Sequence, residues 1–390
     1  MPLFFSNSIL LLYFLISLTL LSLSVVSIIT KSKKLDILTF YLIAVMMTLF
    51  YGLRYPGNPD TKMYLQAFHA ISNFQNFEWG IGFYYLLKII KYINDSSHSY
   101  IFFSSLFFVF MLVLVGIFFF KNKYYKSLFL ISSFYSWSIL DLAVNTYRQG
   151  VSIPFIILGI CLFSQKKYIL SFVLIGVSLL LHWGCALIAA LYFVSIFLSK
   201  RYSLIKTLSI ITLILFSISF IINFSLAETL SQSSIVGSLQ VLFVGVNLTS
   251  KIDAYLGGGV LGAKFYDMPS LQRLYFSGEI FISLFIFVIF FVSRKKIDIN
   301  SISKNYMMAY SFFVSVSFYG VVLISMTWFI RNFYWAVPIA PVLYMLMLEY
   351  YELKDSKKHK YALLGYVIFI IVFSLETFWR SPLIAMAYPS

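Results

Sequence analysis

The stretch Ser8–Lys34 reads "SILLLYFLISLTLLSLSVVSIITKSKK". From Ser8 to Thr30 it carries no charge, and a helix rising about 1.5 Å per residue over that length crosses the roughly 30 Å hydrocarbon core of a bilayer. Lys31, Lys33 and Lys34 follow at once. No basic segment precedes the run and no small-residue cleavage site closes it. The stretch therefore reads as a first membrane helix with its N-terminus outside, and not as a cleaved signal peptide.

Working outward, similar apolar runs recur along all 390 residues. The pattern predicts membrane helices at about 8–30, 36–52, 99–120, 127–142, 150–164, 168–182, 184–199, 204–224, 274–293, 305–327, 333–350 and 361–378, roughly twelve in all. Composition agrees: 61% of residues are hydrophobic, 20% aromatic and only 11% charged, with a mean hydropathy of +0.90. Soluble domains carry about a quarter charged residues. The expected fold is all-α, a single polytopic membrane domain over 1–390. Cys161 and Cys185 both fall within apolar runs, which excludes a disulfide framework and a cysteine metal site.

The net charge of +15 does not point to nucleic acid, because the basic residues form no aromatic-interleaved face. Most of the 29 lie in alternate short loops: Lys31 to Lys34, Lys121 to Lys126, Lys166 and Lys167, Lys200 to Lys206, Arg294 to Lys304, and Lys354 to Lys360. This bias sets those loops on the cytoplasmic side. Arg54, Arg148, Arg331 and the remainder fall on the other side, among most of the acids, where orientation does not account for them.

Two outer segments are long. Residues 53–98 contain "WGIGFYYLLKIIKYI", with Trp79, Phe83, Leu86, Leu87, Ile90 and Ile93 on one helical face and Tyr84, Lys88, Lys91 and Asp95 on the other. That pattern predicts an amphipathic helix lying in the outer interface. Residues 225–273 form the second periplasmic loop, with glycines at Gly257 to Gly259.

Arg148, in "AVNTYRQGVSIP", stands just before an apolar helix; Arg54 opens the first outer loop; Arg331 sits in "WFIRNFYW"; His182 ends a helix in "LLHWGC". An arginine in hydrocarbon costs about 2.5 to 3.5 kcal/mol on insertion scales, so such residues face water, pair with an anion or snorkel. All four end on one side, and the expectation is that they converge in an outward-facing cavity. Guanidinium forks bind phosphate oxygens bidentately, which suits a lipid diphosphate.

At these residues the chain resembles the EpsG-like branch of the Wzy-type polysaccharide repeat-unit polymerases. The matching pieces are "RYPGNPDTKMY" (Arg54, Gly57, Asp60, Tyr64), "EWG" (Glu78, Gly80), "NTYRQG" (Asn145, Arg148, Gln149), His182 and "RNFYW" with Arg331, in order over about residues 50–345. Two positions differ from the usual pattern: Asn58 and Pro59 separate Gly57 from Asp60, and Tyr147 replaces a common aliphatic residue. The resemblance implies a GT-C-like O-antigen or exopolysaccharide polymerase in the bacterial inner membrane. Such an enzyme transfers the growing glycan from undecaprenyl diphosphate to the non-reducing end of a new lipid-linked unit. It implies no cofactor or metal, a membrane-lipid environment, and a Wzz-type chain-length regulator as partner.

For such chemistry the arginines stabilise the leaving diphosphate, and Asp60, His182 and then Glu78 are the candidate bases. Gln149, Tyr64 and Asn145 are candidate hydrogen-bonding groups for sugar or phosphate. Each has a plainer reading. Asp60 can close an Asx turn, His182 can be a packing histidine, Glu78 a helix cap and Gln149 helix–helix glue. Lys88 and Lys91 read as interfacial snorkellers, Trp328, Tyr334 and Trp335 as an aromatic belt, and Asp141, Glu279 and Glu376 as helix-end residues without special role. A flippase for the same lipid is a rival, set aside because no repeat and no midplane charges occur; an O-antigen ligase is another.

Overall fold

The computed structural model describes residues 7–71, 77, 79–121, 123–182, 184–225, 262, 264–293 and 300–389. Among them every regular element is helical. In lipid this is forced, since a helix satisfies its main-chain polar groups within one segment. The chain is a polytopic membrane protein. Among the described residues, eight helical segments are long and apolar enough to cross a bilayer.

The protein divides into two compact units: Met1–Ala190 with Ile299–Ala309 and Pro338–Ser390, and Leu191–Asp298 with Tyr310–Val337. The first unit opens with α1 (Ser8–Ile29) and α2 (Lys33–Gly52). Two short helices follow, α3 (Pro59–Ala70) and α4 (Ile81–Ile93), then α5 (Ser97–Phe119). Next come α6 (Lys126–Tyr135) and α7 (Trp137–Val144), α8 (Tyr147–Ser164) and α9 (Tyr168–Leu181). α10 (Cys185–Leu198) runs from this unit into the second.

α6 and α7 stand where the sequence predicts one straight helix, and they meet at 77°. Ser136 makes the break: it is extended, ends α6 and caps α7, its Oγ accepting the Ile139 N–H at 3.2 Å. The carbonyl of Tyr135 freed by the bend accepts the Thr377 hydroxyl at 3.0 Å, and Tyr135 Oη donates to Ser17 Oγ at 2.5 Å. Every residue of α6 and α7 is buried. The broken helix is the centre of the unit, and side chains of its own and of α16 bond the groups that the break exposes.

α4 confirms an amphipathic helix in residues 53–98, with Phe83, Leu87 and Ile90 buried. It differs in that Tyr84, assigned to the polar face, is also buried, while Ile93 is exposed. The cover of Tyr84 comes from the residues just before α4. Phe77 packs edge-on against Tyr84 at 5.5 Å.

The second unit contains α11 (Tyr202–Ser219), α12 (Ser270–Val292), the later part of α13 (Asn300–Val322) and the short α14 (Ile330–Phe333). An aromatic seam joins them: Phe216 stacks on Phe333 at 5.1 Å and meets Phe281 edge-on at 5.3 Å, and Phe287 meets Phe313 at 5.2 Å. Most of the expected loop 225–273, with its glycine run, lies outside the described residues.

The chain then returns to the first unit through α15 (Ala340–Lys354), α16 (Ser356–Arg380) and α17 (Pro382–Ala387). One end of this unit is a charged clasp. Glu352 pairs with Lys31 at 2.8 Å and accepts the hydroxyls of Tyr125, at 2.8 Å, and Tyr124. Glu349 pairs with Lys123 at 2.5 Å. Buried Asp36 accepts the N–H and hydroxyl of Ser127 at 2.9 and 2.6 Å. Lysines read from the sequence as orientation signals thus also tie α1, α2, α6 and α15 together.

Candidate active site at the end of the broken helix

The other end of the first unit gathers the sequence motifs. α2 stops at Gly52, and Arg54 just beyond it is 3% exposed. Its Nη1 donates to the Tyr51 carbonyl and to Ser105 Oγ at 3.0 Å, and its Nη2 reaches the Val144 carbonyl at 3.4 Å. Two of those acceptors are carbonyls at helix C-termini, which lack partners within their own helix. Burial lowers the Arg54 pKa to about 10, partly opposed by the surrounding Tyr100, Tyr388, Tyr147 and Tyr51, so it remains a cation at neutral pH. Both Nη atoms engage protein acceptors, while its buried Nε has no partner among the described residues.

The turn after Arg54 is fixed by the chain's last helix. Tyr55 donates its N–H to the Ala387 carbonyl at 2.8 Å, and Tyr388 Oη donates to the Phe50 carbonyl. A Cβ on Gly57 would lie 2.0 Å from the Met386 carbonyl oxygen. Only glycine lets the two backbones touch there.

Pro59 occupies the first turn of α3, a position that needs no N–H. The next N–H, that of Asp60, is held by Asn145 Oδ1 at 3.0 Å. Thr61 Oγ1 donates to the Val144 carbonyl. Asn145 Nδ2 donates in turn to Asp141 Oδ1 at 2.9 Å. The main-chain carbonyl of Asp141 also accepts the N–H groups of Asn145 and Thr146, at 2.9 and 2.8 Å, closing the end of α7. Asp60 itself is half-buried, while Asn145 and Asp141 are buried.

α8 starts immediately afterwards and carries Arg148 in its first turn. Arg148 is half-buried; its Nη1 donates to the Trp79 carbonyl at 3.3 Å and its guanidinium carbon lies 5.6 Å from the Trp79 ring centre. Tyr64 of α3 meets the same indole edge-on at 5.2 Å. α8 and α7 lie so close that a Cβ on Gly150 would sit 2.2 Å from the Leu142 carbonyl oxygen. Gln149 is buried.

His182 caps the end of α9, and its Nδ1 accepts the Gly184 N–H at 2.9 Å. An amide can only donate, so Nδ1 is an acceptor and the neutral ring carries its proton on Nε2. A Cβ on Gly82 would lie 2.8 Å from the carbonyl carbon and oxygen of Leu180. That contact packs the start of α4 onto the helix end that carries His182.

Hydrogen bonds and ring contacts therefore join Arg54, Asp60, Tyr64, Asn145 and Arg148, Gln149 follows in the same turn of α8, and His182 adjoins through the α4–α9 packing. Glu78 lies outside the described residues. Arg331 belongs to the second unit, its guanidinium carbon 5.1 Å from the Trp328 ring centre, with Trp328 at a positive φ of 58°. Thr61 and Ser105 take part in the site without having been singled out, since a lone threonine or serine gives no signal. In the sequence Trp79 reads only as part of an apolar helical face and Asp141 only as a helix-end residue.

The class defined by these features is a polytopic helical membrane protein with a cationic, amide-lined site at the end of a broken central helix. The chain belongs to the EpsG family, whose model matches residues 37–388. Comparison with curated proteins and with solved structures returns no match.

Proposed function

We propose that this protein polymerises oligosaccharide repeat units carried on undecaprenyl diphosphate, at the periplasmic face of a bacterial inner membrane. Membership of the EpsG family supports a polymerase-like role in polysaccharide biosynthesis. The observation that carries the mechanism is that Asn145, three residues before the half-buried Arg148, pins the main chain of the half-buried carboxylate Asp60.

In this reading a hydroxyl of the acceptor sugar attacks the anomeric carbon of the growing chain. The bond from that carbon to the diphosphate oxygen breaks, and undecaprenyl diphosphate leaves with the electron pair. Arg148 stabilises the negative charge that develops on the departing headgroup. Asp60 takes the hydroxyl proton. Asp60 is preferred to His182 because the Nδ1 lone pair of His182 is engaged by the Gly184 amide. Arg54 acts from behind, holding the ends of α2 and α7 in place while adding positive potential.

The test is polymerisation by the purified protein in proteoliposomes supplied with lipid-linked repeat units. A ladder of products with stoichiometric release of undecaprenyl diphosphate is expected. Folded protein that makes no ladder from its own organism's repeat unit overturns the reading.

A further inference from the structure

Asp141, read from the sequence as a helix-end residue without special role, is a buried acid. In the structure it stands behind Asn145, which stands behind Asp60. Asn145 uses both ends of its amide: Oδ1 accepts the Asp60 N–H at 3.0 Å and Nδ2 donates to Asp141 Oδ1 at 2.9 Å. A main-chain N–H only donates, so the amide oxygen faces Asp60 and its NH2 group faces Asp141 Oδ1.

We infer that Asp141 is a positioning residue for the transfer reaction, acting through Asn145 to fix the main chain at Asp60; the inference rests on the polymerase reading. The device suits the location. α3 has no side-chain cap of its own, since the side chain of Asn58 at its start accepts no N–H. Both polar atoms of the Asn58 side chain are buried without a partner among the described residues. The first turn of α3 is instead anchored from outside, by Asn145 on the Asp60 N–H and by the Val144 carbonyl on Thr61. Rotation of the Asn145 amide would bring its NH2 group against the Asp60 N–H, two donors face to face. The Asp60 carboxylate would then move with its backbone, and a displacement of about 1 Å at a catalytic group can cost roughly 100-fold in rate.

The role can be tested by exchanging donor and acceptor. In Asn145→Asp an oxygen still faces the Asp60 N–H, but two carboxylates now meet where an amide and a carboxylate were bonded. In Asp141→Asn a side-chain oxygen remains to accept from Asn145. The double variant Asp141→Asn with Asn145→Asp restores one donor and one acceptor in reversed order, at almost unchanged volume. The melting temperature of the purified protein and the kcat and donor KM of polymerisation are measured for all four proteins.

Asp141→Asn, which leaves Asn145 a weaker acceptor, should lower kcat by roughly threefold to tenfold, and Asn145→Asp should lose at least tenfold, the size expected from breaking a buried hydrogen bond. The double variant should recover most of that loss, with donor KM little changed throughout. Recovery of melting temperature without recovery of kcat overturns the positioning role and leaves a purely structural bond. Failure to recover either overturns the pairing itself. If wild-type protein makes no polymer, the polymerase reading falls, and with it the positioning role; the melting temperatures alone then decide whether the pair exists.

Discussion

The guanidinium of Arg148 lies over the indole of Trp79, with its carbon 5.6 Å from the ring centre, while its Nη1 donates to the carbonyl of that same residue at 3.3 Å. One tryptophan thus fixes the arginine twice, through its main chain and through its ring. A cation–π contact of this kind contributes about 0.5 to 2 kcal/mol, enough to hold one rotamer.

Removing the cation should remove chain extension. Arg148→Ala is expected to abolish the product ladder with its abundance in the membrane intact, because Arg148 is half-buried and ties few elements together. Arg148→Lys keeps the charge but gives up the planar fork, so donor KM should rise by roughly tenfold or more. Trp79→Ala should fall between wild type and Arg148→Ala. A normal ladder from Arg148→Ala would exclude it from the site.

Arg54 should behave in the opposite way. It is 3% exposed and bonded to Tyr51, Ser105 and Val144, so its loss strands carbonyls at the ends of two helices. Each buried group left unsatisfied costs about 1 to 3 kcal/mol. Arg54→Met is expected to lower the melting temperature and the membrane abundance before any effect on chemistry is visible. Size-exclusion chromatography and thermal unfolding of detergent-solubilised protein measure this; a stable, monodisperse but inactive Arg54→Met would instead make it a substrate ligand.

Gly57 marks the tightest backbone contact of the site. The Cβ introduced by Gly57→Ala would meet the Met386 carbonyl oxygen at 2.0 Å and its carbon at 2.8 Å, and neither atom belongs to a flexible side chain. Forcing α17 away should cost about 1 to 3 kcal/mol, as overpacking does elsewhere. Gly365, whose added Cβ would have no neighbour within 4 Å, supplies the control: Gly365→Ala should leave the melting temperature unchanged or slightly raised.

These contacts also show where a linear reading stops. Hydropathy and the distribution of lysines expose the membrane helices because lipid imposes them segment by segment. Arg54 and Arg148 were legible for the same reason, since polar groups are costly beside hydrocarbon, whereas Asp60 and Asn145 were marked by the family resemblance. The break at Ser136 was not, because a serine that caps a helix looks the same in sequence as the many serines here that bond back to their own helix, such as Ser24 to the Leu20 carbonyl at 2.8 Å. Asp141 was passed over because its meaning depends on Asn145, whose own meaning depends on a main-chain amide 85 residues earlier. Buried Tyr84 was placed on the wrong face because its cover, Phe77, stands outside the helix, where helical spacing gives no signal.

The sharpest separation lies between Asp60 and His182. Asp60→Asn leaves the main-chain N–H that Asn145 holds, so the variant should fold and bind donor as wild type does. It cannot accept a proton at its side chain, and loss of a general base lowers turnover by about 10²- to 10⁴-fold. His182→Gln should cost less than about tenfold by the same scale, because the Nδ1 it removes is already taken by the Gly184 amide. The ratio of kcat values for the two variants, with donor KM unchanged in both, identifies the base: a larger loss in His182→Gln than in Asp60→Asn would transfer the role to the histidine and require its ring to release Gly184 during the reaction.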